Sequence, residues 1–98
     1  MNYSPRPGIV RAKICGEYLL IPTRSASEEC PEVMRLSLMG AALWEELEKG
    51  RELKKLYEVF AILSRKPEEE IRERTDKLLD RLYEKGYLVE APSGEAGG

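Results

Sequence analysis

The stretch that decides the fold runs from Arg35 to Gly50 and reads RLSLMGAALWEELEKG. The apolar run VMRL at positions 33–36 comes just before Ser37 and is too short to form a helix of its own. Ser37 can cap a helix with its hydroxyl group, and Gly50 suits the left-handed position at which helices end. The stretch therefore predicts a strand over 33–36 that leads directly into a first helix over 38–49, which carries the only tryptophan, Trp44.

The residues before this stretch predict a hairpin and a loop. Val10, Ala12 and Ile14 alternate with polar residues over 9–15, which is the period of a half-buried strand with these three on its apolar face. A turn that contains glycine follows, and a second apolar run over 18–22 ends at Pro22, so the two runs predict a β-hairpin. The polar segment over 23–32 predicts a mobile loop.

Two further helices and a short strand are predicted after Gly50. Apolar residues at helical spacing over 52–64 predict the second helix: Leu53, Leu56, Tyr57, Phe60 and Leu63. Pro67 suits the first turn of a third helix that extends to Lys85. One face of that helix carries Ile71, Thr75, Leu78 and Leu82, and a second stripe carries Arg72, Leu79 and Tyr83. The apolar residues 87–89 predict a short strand.

This order of elements predicts one α+β domain. We expect a winged helix-turn-helix-like fold, in which a three-stranded N-terminal sheet is followed by three helices and a short C-terminal wing. The domain occupies residues 9–89. Residues 1–8 are expected to form a flexible arm and residues 90–98 a flexible tail.

The composition points to a binding protein. The chain has 16 basic and 18 acidic residues, a net charge of −2, and no histidine, so the commonest general base is missing. Two cysteines are too few for a four-ligand zinc site. We therefore expect no catalytic residues, no metal and no cofactor. The chain lacks a secretory signal and a membrane-spanning run, which favours a cytoplasmic protein with no membrane partner.

The predicted third strand and third helix together form a candidate binding site. A strand at the edge of a sheet presents unpaired N–H and C=O groups that another chain can pair with. If Leu79 and Tyr83 on the helix lie beside that edge, they would line a groove for an extended peptide. The alternative is that both residues complete the core, and their spacing alone leaves the two readings open. An exposed edge and an N-terminal arm are also compatible with a swapped or paired homodimer.

A winged-helix transcription regulator is the alternative function. Such a protein needs a basic face toward DNA. Residues 66–85 contain six basic and seven acidic side chains, so we expect no nucleic-acid partner.

Several loose motifs occur along the chain: YLL at 18–20, RLS at 35–37, AALWE at 41–45 with Gly50, LL at 78–79 with Leu82, and GYL at 86–88. Together they resemble the PqqD-like family, the peptide chaperones of pyrroloquinoline quinone biosynthesis, which are similar to the precursor-peptide recognition elements of ribosomal peptide natural-product pathways. The resemblance covers about residues 9–89.

The resemblance implies a function and a set of binding residues. Family members bind the leader segment of a precursor peptide as an added strand, and present it to a modifying enzyme that is often a radical S-adenosylmethionine enzyme. Carried over to this chain, the peptide would pair with Met34, Arg35, Leu36 and Ser37. The helix would contribute Arg72, Thr75, Asp76, Leu79 and Tyr83, with Arg35 and Arg72 attracting acidic leader residues. Ile71, Leu78 and Leu82 would belong to the core.

Overall fold

The computed structural model describes residues 3–23 and 26–91. They form five strands and three helices in this order: β1 (Tyr3–Pro5), β2 (Ile9–Ile14), β3 (Glu17–Pro22), β4 (Met34–Leu36), α1 (Leu38–Glu48), α2 (Lys54–Ser64), α3 (Glu68–Glu84) and β5 (Leu88–Glu90). The chain is an α+β domain with two small sheets. The order of the predicted elements indicated the α+β class but only one of the two sheets. No helix within the described ranges is long and apolar enough to cross a bilayer.

The two ends of the domain form a sheet that differs from the sequence prediction. Residues 1–8 were expected to be a loose arm, but β1 pairs antiparallel with β5, with Tyr3 opposite Glu90 and Pro5 opposite Leu88. Arg6 extends this pairing, since its backbone N–H donates to the Tyr87 carbonyl at 2.9 Å. The partner strand is more than 80 positions away, so no local pattern reveals the pairing. Residues 92–98 of the expected tail lie outside the described residues.

The other sheet has the strand order β2-β3-β4 and is antiparallel throughout. Cys15 and Gly16 form the two-residue turn between β2 and β3, with φ of 52° and 81°. Positive φ at both positions is typical of the type I′ turn, whose twist matches that of a hairpin. The predicted hairpin is confirmed.

The buried face of β2 is the opposite of the predicted one. Val10 and Ile14 are 47% and 50% exposed, whereas Ile9 is buried. Arg11 stands opposite the fully buried Leu20, and its guanidinium lies 3.9 Å from the Glu48 carboxylate. Because Leu20 packs inward, the odd-numbered residues of β2 must face inward with it.

α1 supplies the centre of the core. Leu43 and Trp44 are fully buried, and Leu82, Tyr87 and Leu88 pack into the same cluster. The Ser37 hydroxyl accepts a hydrogen bond from the Gly40 N–H at 3.1 Å, and Gly50 has a φ of 67° just after the helix. The predicted cap and the predicted stop are therefore confirmed.

The second half of the predicted loop packs on the domain. Ala26 and Cys30 are buried, and the Cys30 N–H donates to the Ala26 carbonyl at 2.9 Å. Gly86 lies against this segment with a φ of 92°, and a Cβ there would approach the Glu29 carbonyl oxygen to 2.7 Å. Only glycine fits this position, because it tolerates both the positive φ and the close backbone contact.

Candidate functional site

β4 is the edge strand of the three-stranded sheet. It pairs with β3 through Leu36 opposite Tyr18, Arg35 opposite Leu19 and Met34 opposite Leu20. No other described strand pairs with it. One long side of β4 is therefore open, as the sequence predicted for the strand over 33–36.

The register identifies which backbone groups point to the open side. In a two-residue hairpin the residues that flank the turn, here Ile14 and Glu17, exchange both hydrogen bonds. Since hydrogen-bonded pairs alternate along an antiparallel ladder, Tyr18 and Leu20 direct their backbone groups toward β4. The N–H and C=O of Arg35 must then point away from β3, toward the open side.

A groove with a volume of about 470 Å³ runs between this open side and α3. Its wall consists of Leu78 and Arg81 on α3 and of Lys85, the residue that caps the C-terminus of this helix. Gly40 lines the groove between Leu36 and Leu78, whose methyl carbons would lie 3.3 and 3.4 Å from a Cβ at that position. The absence of a side chain at Gly40 lets Leu36 and Leu78 pack closely against α1 at this end of the groove.

The groove is basic. Arg81 and Lys85 line it together with a single acidic residue, Glu32, whereas the Arg35 side chain, opposite Leu19, alternates to the other face of the sheet from the buried Leu36. Arg35 is already paired with Glu17, with 3.1 Å between Nε and Oε1. Within the described residues, neither Arg81 nor Lys85 forms an ion pair, so their charge is available to an acidic ligand.

Tyr87 fixes the position at which β4 begins. Its ring is buried and lines the groove, and its hydroxyl donates a hydrogen bond to the Glu32 carbonyl. Burial, and then the proximity of Cys30, raise the pKa of Tyr87 above its ordinary value of 10. The phenol is a hydrogen-bond donor at neutral pH, as any tyrosine is, and the raised pKa keeps it protonated at more alkaline pH as well.

The strand residues of the predicted site all line the groove, namely Met34, Arg35, Leu36 and Ser37. Two of the predicted helix residues are in the core instead. Thr75 is fully buried and donates its hydroxyl to the Ile71 carbonyl at 2.8 Å, and Leu79 is only 9% exposed.

The remaining predicted helix residues lie on the far side of the buried face of α3. The Arg72 guanidinium lies over the Tyr57 ring, with 5.4 Å between its central carbon and the ring centroid. The rings of Tyr83 and Tyr3 are 5.1 Å apart, and the Tyr83 hydroxyl contacts the Glu90 carboxylate at 3.3 Å. Asp76 is exposed. The structure therefore does not bring these three residues to the strand edge.

A cavity of about 670 Å³ lies on that far side, between β1, the end of α1 and the start of α2. Leu79 lines this cavity, with Tyr3, Leu47 and Leu53 among its neighbours. Leu78, which the sequence assigned to the core, is partly buried against the core and also lines the groove. Consecutive residues of a helix are rotated by about 100° about its axis. Leu78 and Leu79 must therefore face different sides of α3.

The sequence did contain a signal for the groove wall. Positions 78, 81 and 85 have the 3- and 4-residue spacing of one helix stripe, with an apolar residue followed by two basic ones. Which of two neighbouring stripes faces β4 depends on how α3 is rotated against the sheet, and that rotation is set by the buried residues.

Both cysteines are free thiols, with Cys15 exposed in the hairpin turn and Cys30 buried beside Gly86. Among the described residues, no three Cys, Asp or Glu side chains converge as a metal site would require.

Comparison of this chain with protein-family models, with curated proteins and with solved structures finds no match.

Proposed function

We propose that this chain is a non-catalytic binding protein that captures the leader segment of a ribosomally made precursor peptide by strand addition to β4. It would then present the peptide to a modifying enzyme. In the pathways of the family that the sequence resembles, this enzyme is often a radical S-adenosylmethionine enzyme. The observation that carries this proposal is the unpaired backbone of Arg35, which opens into a groove walled by Leu78, Arg81 and Lys85. The same proposal includes a winged-helix-like arrangement of the domain and its membership of the PqqD-like family.

The charges at the two edges of the sheet favour a foreign strand over a second copy of the chain. Antiparallel pairing of two β4 strands about Arg35 would place two guanidinium groups opposite each other, which is destabilising. The edge of β2 carries Arg11 and Lys13, and charged side chains of this kind protect edge strands from pairing. An incoming peptide with acidic residues meets no such repulsion at β4.

The orientation of α3 predicts the order of residues in the peptide. α3 runs antiparallel to β4, since Leu78 lies beside Gly40, after β4, whereas Gly86 lies against Glu29, before it. A peptide that extends the antiparallel sheet would pass Leu78 first and then Arg81 and Lys85. Because alternate side chains of a strand share one face, we expect an apolar residue followed by an acidic one two or four positions later.

Selection from a random peptide library displayed on phage tests this proposal. We expect enrichment of the apolar-then-acidic order, and the enriched peptide, made synthetically, is the probe for all further measurements. Reversing the charge at both Arg81 and Lys85 to Glu should weaken its binding by at least about 10-fold, which is about 1.4 kcal/mol. Arg72→Glu, on the far side of α3, is the matched control and should change the affinity little.

Amide hydrogen exchange locates the bound peptide. The Arg35 amide should exchange quickly in the free protein and become protected when the selected peptide is added. Protection around Tyr3 and Leu53 instead, or a selection without enrichment, would refute the proposal. Duplex DNA at low salt, which a winged-helix regulator should bind, is expected not to bind.

A further inference from the structure

The outer face of the β2-β3-β4 sheet, which points away from the helices, consists of rows of side chains that cross the strands. Because Leu20 is buried, its neighbours on β3 point outward, together with the residues that the register places beside them. Val33 belongs to this face, since it comes directly before Met34, which pairs with Leu20. Two rows end at the open side of β4, and they consist of Ala12, Leu19 and Arg35 and of Val10, Ile21 and Val33.

The row that ends at Val33 is apolar throughout. Val10 and Val33 are 47% and 57% exposed, and Ile21 between them is partly exposed. Val33 has a neighbouring strand on the β3 side only, because no other described strand pairs with β4. An exposed apolar side chain therefore stands at the position that a strand added to β4 would cover.

The other row ends in Arg35, whose side chain is 73% exposed. Its Nε lies 3.1 Å from Oε1 of Glu17, which belongs to β3, on the side away from the open edge. A guanidinium group carries several N–H donors in a planar fork, so one carboxylate at Nε leaves donors for a second one. An acidic side chain on the open side of Arg35 therefore finds hydrogen-bond donors there.

We propose that the peptide bound at β4 is recognised on the outer face as well as in the groove, by an apolar contact with Val33 and an ion pair with Arg35. The inference rests on the proposed function, because it takes the peptide as the antiparallel neighbour of β4. Residues directly opposite each other on antiparallel strands have Cβ atoms about 4.5–5.5 Å apart. Pairs of β-branched or aromatic residues and pairs of opposite charge are the stabilising ones. The peptide therefore carries a β-branched or aromatic residue opposite Val33 and an acidic residue opposite Arg35.

The register gives the order of these residues in the peptide. Because the peptide runs antiparallel to β4, its residue opposite Arg35 comes two positions before its residue opposite Val33. The residue between them is opposite Met34 and faces the groove, since side chains alternate between the two faces of a strand. The expected order is an acidic residue, then a groove-facing residue, then a β-branched or aromatic residue.

Parallel selections from the phage-displayed peptide library on the wild type and on two variants test the inference. With Val33→Lys, the position opposite residue 33 should change from β-branched or aromatic residues to acidic ones. The second variant combines Arg35→Glu with Glu17→Lys, which keeps the ion pair with its signs reversed, and the position opposite residue 35 should change from acidic to basic. The groove-facing positions should stay the same with both variants.

The affinity for the peptide selected on the wild type gives a second measurement with a milder substitution. Val33→Ala should weaken binding by about 2- to 5-fold. Val59→Ala is the matched control, since Val59 is an exposed valine on α2, and it should leave the affinity unchanged. If the wild type selects the groove-facing residues but the outward positions do not respond to the variants, the inference is overturned and the proposed function stands. A selection without any enrichment overturns both.

Discussion

The two sides of α3 that flank its buried face differ in what lies opposite them. Leu78, Arg81 and Lys85 face the unpaired side of β4. On the other side, Leu79 faces Leu47 and Leu53 of the α1–α2 region, and Tyr83 stacks on Tyr3 of β1. The first side therefore combines side chains with free backbone donors and acceptors, whereas the second meets side chains and a β1 strand that is already paired with β5.

The difference shows why similar apolar content does not give similar function. A leucine beside a free strand edge can contribute to binding an extended chain, because the backbone supplies hydrogen bonds and the leucine supplies a contact for one side chain. A leucine that is buried among other side chains, such as Leu79, contributes to stability. Leu78 and Leu79 are adjacent in sequence, yet substitutions on the two sides of α3 should differ in their effect on stability.

Leu79→Ala should lower the free energy of unfolding by about 2–5 kcal/mol, because it removes a buried side chain and leaves a cavity. Leu78→Ala should cost about 1 kcal/mol, since part of Leu78 is already exposed to the groove. Urea unfolding followed by circular dichroism measures both. Equal losses of stability would contradict this prediction, because they would mean that the two leucines are equally buried. Leu79→Glu should unfold the domain, because it buries an unpaired charge.

Tyr87→Phe, on the groove side, should lower the free energy of unfolding by about 1–2 kcal/mol, because the Glu32 carbonyl loses its donor. The effect depends on pH. Since the folded-state pKa of Tyr87 is raised above 10, its phenol ionises in the unfolded chain first as the pH rises. The stabilisation is therefore complete below pH 10 and is lost above it, by up to about 1.4 kcal/mol per pH unit.

Unfolding measured between neutral pH and pH 11 in the wild type and in Tyr87→Phe isolates this contribution. The pKa values of Tyr3 and Tyr57 are also raised, chiefly by burial, but both residues are present in the two proteins and cancel in the difference. A stability difference that stays constant across this range would contradict the assignment.

Tyr83→Phe, on the cavity side, should change the free energy of unfolding by less than about 0.5 kcal/mol. Its hydroxyl forms one exposed contact with Glu90, and the ring stack on Tyr3 survives the substitution. Tyr83→Ala is the comparison, and it should cost roughly 0.5–1.5 kcal/mol by removing the aromatic pair. If Tyr83→Phe lowered the free energy of unfolding as much as Tyr87→Phe, the two hydroxyl groups would contribute equally to stability, contrary to this expectation.

Local features of the fold were predictable from the sequence, because each depends on neighbours in the chain. The β2–β3 hairpin follows from two apolar runs around a glycine turn, and α1 follows from the Ser37 cap and the Gly50 stop. The strand at the candidate site was predicted within one residue, since an apolar run too short for a helix comes immediately before that cap.

The pairing of distant strands and the choice of the face that each element turns inward were not predictable in the same way. The N-terminal residues form β1 only because β5 returns beside them, and the inward side of β2 is decided by Leu20 on the next strand. The side chains of β2 alternate between two faces. The less apolar face points inward, because Arg11 can lie along α1 toward Glu48. That choice left Val10 and Ile14 exposed.

The sequence by itself determined the α+β class, the helix boundaries and the strand that precedes α1, because capping, turn geometry and apolar periodicity are local properties. Only the tertiary structure decided that Leu78, Arg81 and Lys85 rather than Leu79 and Tyr83 lie beside the open edge of β4. The physical reason is that a helix offers several neighbouring stripes about 100° apart. The one that reaches a distant strand is selected by burial of Ile71, Thr75, Leu79 and Leu82 in the common core.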